Sequence, residues 1–493
     1  MIYNFNLGIG WASSGVEYAQ IYRARMFRNI GVDAKFVFTD MFPSENMEHM
    51  TKNIGFLDSE VIWLYTFFTD FKTAPVTYTL SDLEKTFTDL NYTKTREGKI
   101  CRYVFGGSNN FYTAYMVNDH DDFVHRVELV SNGFLIRKDY FTYGRVYSEY
   151  YAPLDNKAHL YHRRFFNENG SVAYEEIIDD ERVMYKFKDK ILCSKEEFVG
   201  YMVSQLHLTK DDVVLIDRST DIGQSIIMNC KPARVGTVVH ADHFSEKETN
   251  DDYILWNNYY EYEFNMHKHI DFYICSTQAQ SDLMIQQFEK YYGVTPCVYT
   301  IPVGSLPELK YPKEERKPFS LITASRLASE KHVDWICKAV IQARSEVPEL
   351  SLDIYGVGGE REKLETIIRD NNASDYIHLM GQHDLSEVYQ NYEAYIAGST
   401  SEGFGLTLME AVGGGLPIVG FDVRYGNPTF IRNGENGYSI SLPEEDKDKI
   451  EALRKGIVDL FKQDLGKCHE VSYEVAKDFL TSNVQEKWRE AVC

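Results

Sequence analysis

The feature that most limits how this chain can fold is a change of period along it. Residues 2–7 are a short apolar run, residues 8–15 a loop of small residues, residues 16–30 carry helical spacing up to Gly31, and residues 34–39 are apolar again. Strand, tight loop, helix and strand make a βαβ unit, the start of a doubly wound parallel sheet. From Pro75 to about residue 204 the alternation stops. This stretch is dense in Tyr, Phe and Val, and 101–105, 123–130, 133–138, 157–166, 171–178 and 183–187 read as successive strands. Asn132-Gly133 and Asn169-Gly170 are its strongest hairpin signals. The α/β pattern resumes at Val213 and runs through 234–240, 271–276 and 298–302, and a second set of strands follows at 320–324, 351–355, 377–380, 394–397 and 417–420.

The expected fold class is therefore α/β, with two Rossmann-like domains and an antiparallel sheet inserted in the first. The division reads 1–74 and 205–308 for the two parts of the N-terminal domain, 75–204 for the inserted sheet, and 309–471 for the C-terminal domain. A final helix over 472–493 is long enough to cross back to the N-terminal domain. A length of 493 residues accommodates this number of domains.

Charge and cysteine usage exclude several function classes. With 52 Lys and Arg against 74 Asp and Glu, the net charge of −22 disfavours nonspecific attraction to nucleic acid, although a local basic site is still allowed. The 8 cysteines are scattered without the paired spacing of a zinc site or a disulfide framework. The opening residues lack the basic start of a signal peptide, and the strongest apolar run, 61–68, falls far short of the roughly 20 residues that span a bilayer. These features predict a cytoplasmic protein.

Chemistry concentrates where strands end. In Gly398-Ser399-Thr400-Ser401-Glu402-Gly403-Phe404-Gly405 a strand gives way to a turn carrying Glu402, two glycines allow close backbone approach, and a helix then begins with free N–H groups at Leu406 and Thr407. Such a turn suits an anionic or hydroxyl-rich ligand, and Glu410 lies a little over two helical turns further on. Taken singly, each acid also fits a surface position. Ser325-Arg326-Leu327 and Lys331 follow the first strand of the second domain, and a guanidinium with an ammonium suits a diphosphate. Taken in isolation, this stretch also fits a solvated helix start. Near the N-terminus, Ser14 and Glu17 have capping-box spacing, which would explain Glu17 by itself. His240-Ala241-Asp242-His243 closes an apolar strand; the residue types permit a metal, but no second ligand cluster accompanies them, so His240 is expected to be a hydrogen bonder.

Ser325-Arg326-Leu327 with Lys331, then Glu402-Gly403-Phe404-Gly405 and Glu410, resemble the nucleotide-sugar site of glycosyltransferase family 4, retaining enzymes of the GT-B fold in which two Rossmann-like domains face a cleft. The opening 8–18 and the Tyr-rich insertion are more narrowly similar to the catalytic subunits of the O-GlcNAc transferases that serve accessory secretion in Gram-positive bacteria. The resemblance implies transfer of GlcNAc from UDP-GlcNAc to Ser and Thr of serine-rich repeat adhesins, with no metal and no other cofactor. It implies a GtfB-like stabilising subunit as partner, no nucleic acid, and room for peripheral contact with the inner face of the cell membrane. It assigns His240, Glu402, Arg326 and Lys331 to catalysis. UDP falls to Gly15, Val16, Glu17, Tyr18, Arg326, Lys331, Gln382, His383, Leu406, Thr407 and Glu410, and GlcNAc to His240, Glu402, Gly403, Phe404 and Gly405. The alternative from another class is a noncatalytic, substrate-binding or chaperone subunit of the same complex.

Overall fold

The protein is described by a computed structural model covering residues 1–9, 15–43, 45–88, 91–106, 109–155 and 157–493. Ser14, and with it the capping box proposed for Ser14 and Glu17, lies outside the described residues, as do Gly10 to Ser13 of the small-residue loop. Contacts divide the chain into two compact units, the first made of Met1–Ala24, Val32–Thr237 and Asn258–Asp271, the second of Arg25–Gly31, Val238–Asn257 and Phe272–Cys493.

In the first unit, short apolar strands run parallel in the spatial order Val61–Trp63, Ala34–Phe38, Ile2–Asn6, Val213–Ile216, Arg234–Val239. Order reverses between Ile2–Asn6 and Val213–Ile216, the position where open α/β sheets bind ligands at the carboxyl ends of their strands. The connection from Val61–Trp63 to Val213–Ile216 is the long one, and it contains the whole antiparallel sheet. Helix Gly15–Ile30, which follows the first strand, is fixed by polar residues in the core: Arg23 grips both carboxylate oxygens of Asp217 at 2.9 and 2.6 Å, and Gln20 donates to Asp217 at 2.8 Å. Arg23 and Asp217 are buried, so this charge pair is solvated only by protein.

The inserted sheet has ten antiparallel strands from Tyr92–Glu97 to Ile191–Leu192, each next to its neighbour in sequence. Asn132 and Gly133 both take positive φ, 50° and 81°, as a tight hairpin demands. Part of its aromatic set packs outside the sheet, against the first α/β layer. Tyr65 stacks on Phe165 at 5.7 Å, Phe68 on Tyr201 at 4.9 Å, and the Tyr174 hydroxyl donates to the Tyr65 carbonyl at 2.7 Å. Each such ring pair contributes on the order of 1 kcal/mol beyond burial, so these rings are the joint between the sheet and the first α/β layer.

The second unit carries six parallel strands in the order Ile377–Gly381, Ser351–Tyr355, Ser320–Ala324, Ala394–Ile396, Ile418–Phe421, Gly437–Ile440. Numbered along this stretch of chain the order is 3-2-1-4-5-6, that of a dinucleotide-binding Rossmann sheet. The single C-terminal helix expected over 472–493 is instead two, Leu465–Lys477 and Thr481–Val492. The break is set by pairing: Leu306 N–H donates to Phe479 and Thr481 N–H to Leu306, which draws Leu480 into extended backbone. In the last helix, Trp488 meets Phe27 of helix Gly15–Ile30 edge-on at 5.3 Å. No helix among the described residues is long and apolar enough to cross a membrane.

Candidate active site

The switch point of the second sheet lies between strands Ser320–Ala324 and Ala394–Ile396, and of the expected charged residues Lys331 and Glu402 meet beside it. Ser320–Ala324 is wholly buried and empties into the turn that carries Ser325 to Lys331. That turn is held against the loop following Ser351–Tyr355, where Ser325 N–H donates to Tyr355 and Leu327 N–H to Val357. Any side chain on Gly356 would begin 1.8 Å from the Ser325 carbonyl oxygen, so only glycine permits this approach. Sequence reasoning passed over Gly356; the signal was its glycine-rich Gly356-Val357-Gly358-Gly359 run directly after a strand.

From the fourth strand the chain reaches Glu402, whose carboxylate accepts from Lys331 Nζ at 2.7 Å, with both side chains about one-fifth exposed. Two residues 71 apart in sequence thus meet at the open end of the switch point. Arg326 is not drawn in: its side chain is 78% exposed and pairs with Glu330 at 3.1 Å. Gly405, at φ 87°, turns the backbone into helix Leu406–Gly413, a conformation that disfavours residues with a Cβ. Phe404 points away, packing edge-on against Phe430 at 5.3 Å, so at this turn only its backbone is available. Leu406 likewise packs its side chain into the core. Thr407 Oγ1 lies 3.0 Å from the Tyr395 hydroxyl, which also sits 3.0 Å from the Ala324 carbonyl oxygen. Tyr395 therefore ties the end of the first strand to the start of the helix, a role with no sequence signal beyond a Tyr in a buried strand.

Glu410 accepts from the Tyr389 hydroxyl at 2.9 Å, and burial raises its carboxyl above the ordinary range. Gln382 and His383 are exposed after strand Ile377–Gly381, and a His383 ring nitrogen lies 2.9 Å from the Met380 carbonyl oxygen.

The His240 carbonyl oxygen is 3.6 Å from where a side chain on Gly403 would begin, so His240 and the Glu402 turn are neighbours. The segment after it is clamped: Gln280 donates to the Ala241 carbonyl at 2.8 Å and Asn257 to that of Asp242 at 2.9 Å. His243 is fully buried, 2.7 Å from Gln287 Oε1, and burial lowers its pKa to about 4. Tyr425 was not anticipated. Its hydroxyl donates to Asp242 at 2.6 Å, while its own N–H donates to the Glu402 carbonyl at 2.5 Å, so one residue ties the two segments together. Among the described residues no three His, Cys, Asp or Glu side chains group as a metal would require.

Gly15 to Tyr18 open helix Gly15–Ile30 in the first unit, at that sheet's own switch point. Gly15 and Tyr18 are exposed, whereas Val16 and Glu17 are buried.

Comparison with known proteins gives this geometry its family. The family described as glycosyl transferases group 1 matches residues 308–477, and the GtfA extended beta-sheet domain matches 93–189. The UDP-N-acetylglucosamine–peptide N-acetylglucosaminyltransferase GtfA subunit of Streptococcus agalactiae is 52% identical over 492 residues, 99% of this chain and 97% of the relative. The chain belongs to the GtfA subunit family. Among solved GtfA structures, that of a GtfA/B complex is similar with a TM-score of 0.96 and 52% identity, covering 100% of this chain and 99% of the other. The pneumococcal O-GlcNAc transferase GtfA in complex with UDP and GlcNAc matches with a TM-score of 0.86 and 49% identity, covering 100% and 98%. The chain thus has the expected GT-B class of fold, with parallel Rossmann-like sheets and the added antiparallel sheet.

Proposed function

We propose that the chain is a retaining, metal-independent glycosyltransferase that moves GlcNAc from UDP-GlcNAc to Ser and Thr hydroxyls of a serine-rich repeat adhesin, working with a GtfB-like stabilising subunit. The observation that carries this reading is the Lys331–Glu402 pair at the switch point of a Rossmann sheet, in a chain half identical to GtfA subunits over its whole length. In this reading Lys331 and Arg326 neutralise the diphosphate, and helix Leu406–Gly413 adds its positive end. Glu402 and the backbone of Gly403, Phe404 and Gly405 hold sugar hydroxyls, His240 lies beside the reacting carbon, and Glu410 takes the ribose. Gln382 and His383 approach the base, and Gly15 to Tyr18 approach UDP from the N-terminal domain. The acceptor oxygen bonds to the anomeric carbon on the face from which the diphosphate departs, and its proton passes to the departing phosphate oxygen. Charge on the leaving group is then met by side chains and a helix end, so no metal is required.

We assign acceptor and partner contact to the insertion, taken as 75–204. Its first strand, Tyr92–Glu97, is an exposed edge with open backbone groups, and a disordered serine-rich polypeptide needs an extended surface. The protein acts in the cytoplasm, with peripheral membrane contact through the complex.

The test is transfer of labelled GlcNAc to a serine-rich polypeptide by the chain with its partner subunit, in the presence of EDTA. Transfer by the pair, together with slow hydrolysis of UDP-GlcNAc by this chain alone, is the expected result. Neither reaction in either preparation would make this a binding subunit, and dependence on a divalent ion would return a metal to Asp242 and His240.

A further inference from the structure

We infer that the second unit contains a separate phosphate-binding recess, lined by none of Arg326, Lys331, Glu402 or Glu410. A cavity of about 340 Å³, partly open to solvent, lies where helix Gln278–Tyr292 begins and is also lined by Arg432 and Lys487. Four observations converge on an oxyanion there. Thr277 caps the helix by accepting from Gln280 N–H, while the N–H groups of Gln278 and Ala279, both lining the recess, find no acceptor among the described residues. These are the amides that bind anions at helix N-termini, aided by the helix dipole. Ser276 also lines the recess and is 6% exposed, and its hydroxyl has no hydrogen-bond partner among the described residues. Its Oγ is not sealed in the interior but opens into the recess, where it can donate to a ligand oxygen.

The third observation is charge. Lys487 makes no ion pair among the described residues, and Arg432 has only a long 3.6 Å contact to the exposed Glu474. Asp478 lines the recess as well, leaving two cations against one carboxylate. In a chain of net charge −22, two guanidinium and ammonium groups gathered beside a helix N-terminus run against the overall balance. The fourth is the make-up of the lining: a hydroxyl and two amides from residues 276–279, the Arg432 guanidinium and the Lys487 ammonium share one recess. That arrangement suits the three or four oxygens of a phosphate group better than the two of a carboxylate. The phosphate group can belong to a soluble ion or to a lipid headgroup.

Calorimetry of the full chain with inorganic phosphate, at saturating UDP so that donor-side residues are occupied, tests the assignment. One phosphate site per chain is expected, weakened about tenfold or more in the Arg432→Gln, Lys487→Gln double variant and several-fold in Ser276→Ala. Lys487→Gln alone, at a half-exposed helix position, guards against misfolding of the double variant and should show an intermediate loss. A flotation arm with phosphatidylcholine vesicles containing phosphatidylglycerol separates the two sources, because binding that the double variant loses would identify the headgroup. Absence of both phosphate and vesicle binding in the wild type, or equal binding by wild type and double variant, would overturn the inference.

Discussion

The six-stranded parallel sheet and the ten-stranded antiparallel sheet solve opposite problems. In the first, Ser320–Ala324 is buried at all five positions, so its residues pack and the chemistry is displaced to the strand ends. In the second, Tyr92–Glu97 is exposed at five of six positions, so chemistry is displayed along the strand itself. A rigid buried sheet can hold Lys331 and Glu402 at 2.7 Å across 71 residues of sequence, whereas an exposed edge strand can meet a long, poorly shaped partner. The difference teaches that precision in this chain resides in parallel sheets and breadth in the antiparallel one.

The comparison predicts unequal sensitivity to charge removal. Asp217→Ala, which leaves Arg23 buried without its carboxylate, should lower unfolding free energy by about 3–5 kcal/mol. Arg96→Ala, which breaks an exposed pair with Asp122 at 2.5 Å on the edge of the antiparallel sheet, should stay within about 1 kcal/mol. Chemical denaturation of both variants checks this, and similar losses would dissolve the distinction.

A second prediction concerns acid. His243 titrates near 4 when folded against 6.5 unfolded, so the unfolded chain binds the extra proton first. Its contribution to stability is complete above about pH 6.5 and is lost as pH falls toward 4, amounting to about 3 kcal/mol. His243→Gln should flatten the stability profile across that window by one proton, and an unchanged slope would count against a neutral, buried His243.

The smallest effect is expected at Tyr425. Tyr425→Phe removes the hydroxyl that binds Asp242 while keeping the backbone bond to Glu402, costing about 1 kcal/mol. Steady-state kinetics should register several-fold in kcat with little change in KM for UDP-GlcNAc. A change in KM alone would mean that Tyr425 acts on binding rather than on the placement of His240.

Periodicity made the parallel strands and the hairpins readable, because burial imposes runs of apolar residues and tight turns impose Asn-Gly. Strand ends with Arg, Lys, Glu and Gly pointed to the donor side for the same reason, since few folds put such residues after buried strands. Tyr395, Tyr389 and Tyr425 were not legible: each acts through a hydroxyl reaching a residue elsewhere in the chain, and a buried Tyr looks the same in the sequence whether or not its hydroxyl has a task. The break at Leu480 was hidden too, because it is set by pairing with Leu306 and not by any glycine or proline.

The central claim is that Lys331 and Glu402 form the working centre of a glycosyl transfer site, and Lys331→Ala tests it most directly. Transfer of GlcNAc from UDP-GlcNAc, measured as kcat/KM with the partner subunit present, should fall by roughly two orders of magnitude, on the order of 3 kcal/mol of lost stabilisation of the departing diphosphate, with the thermal unfolding midpoint unchanged. Near-normal kcat/KM in a folded Lys331→Ala protein would contradict the account.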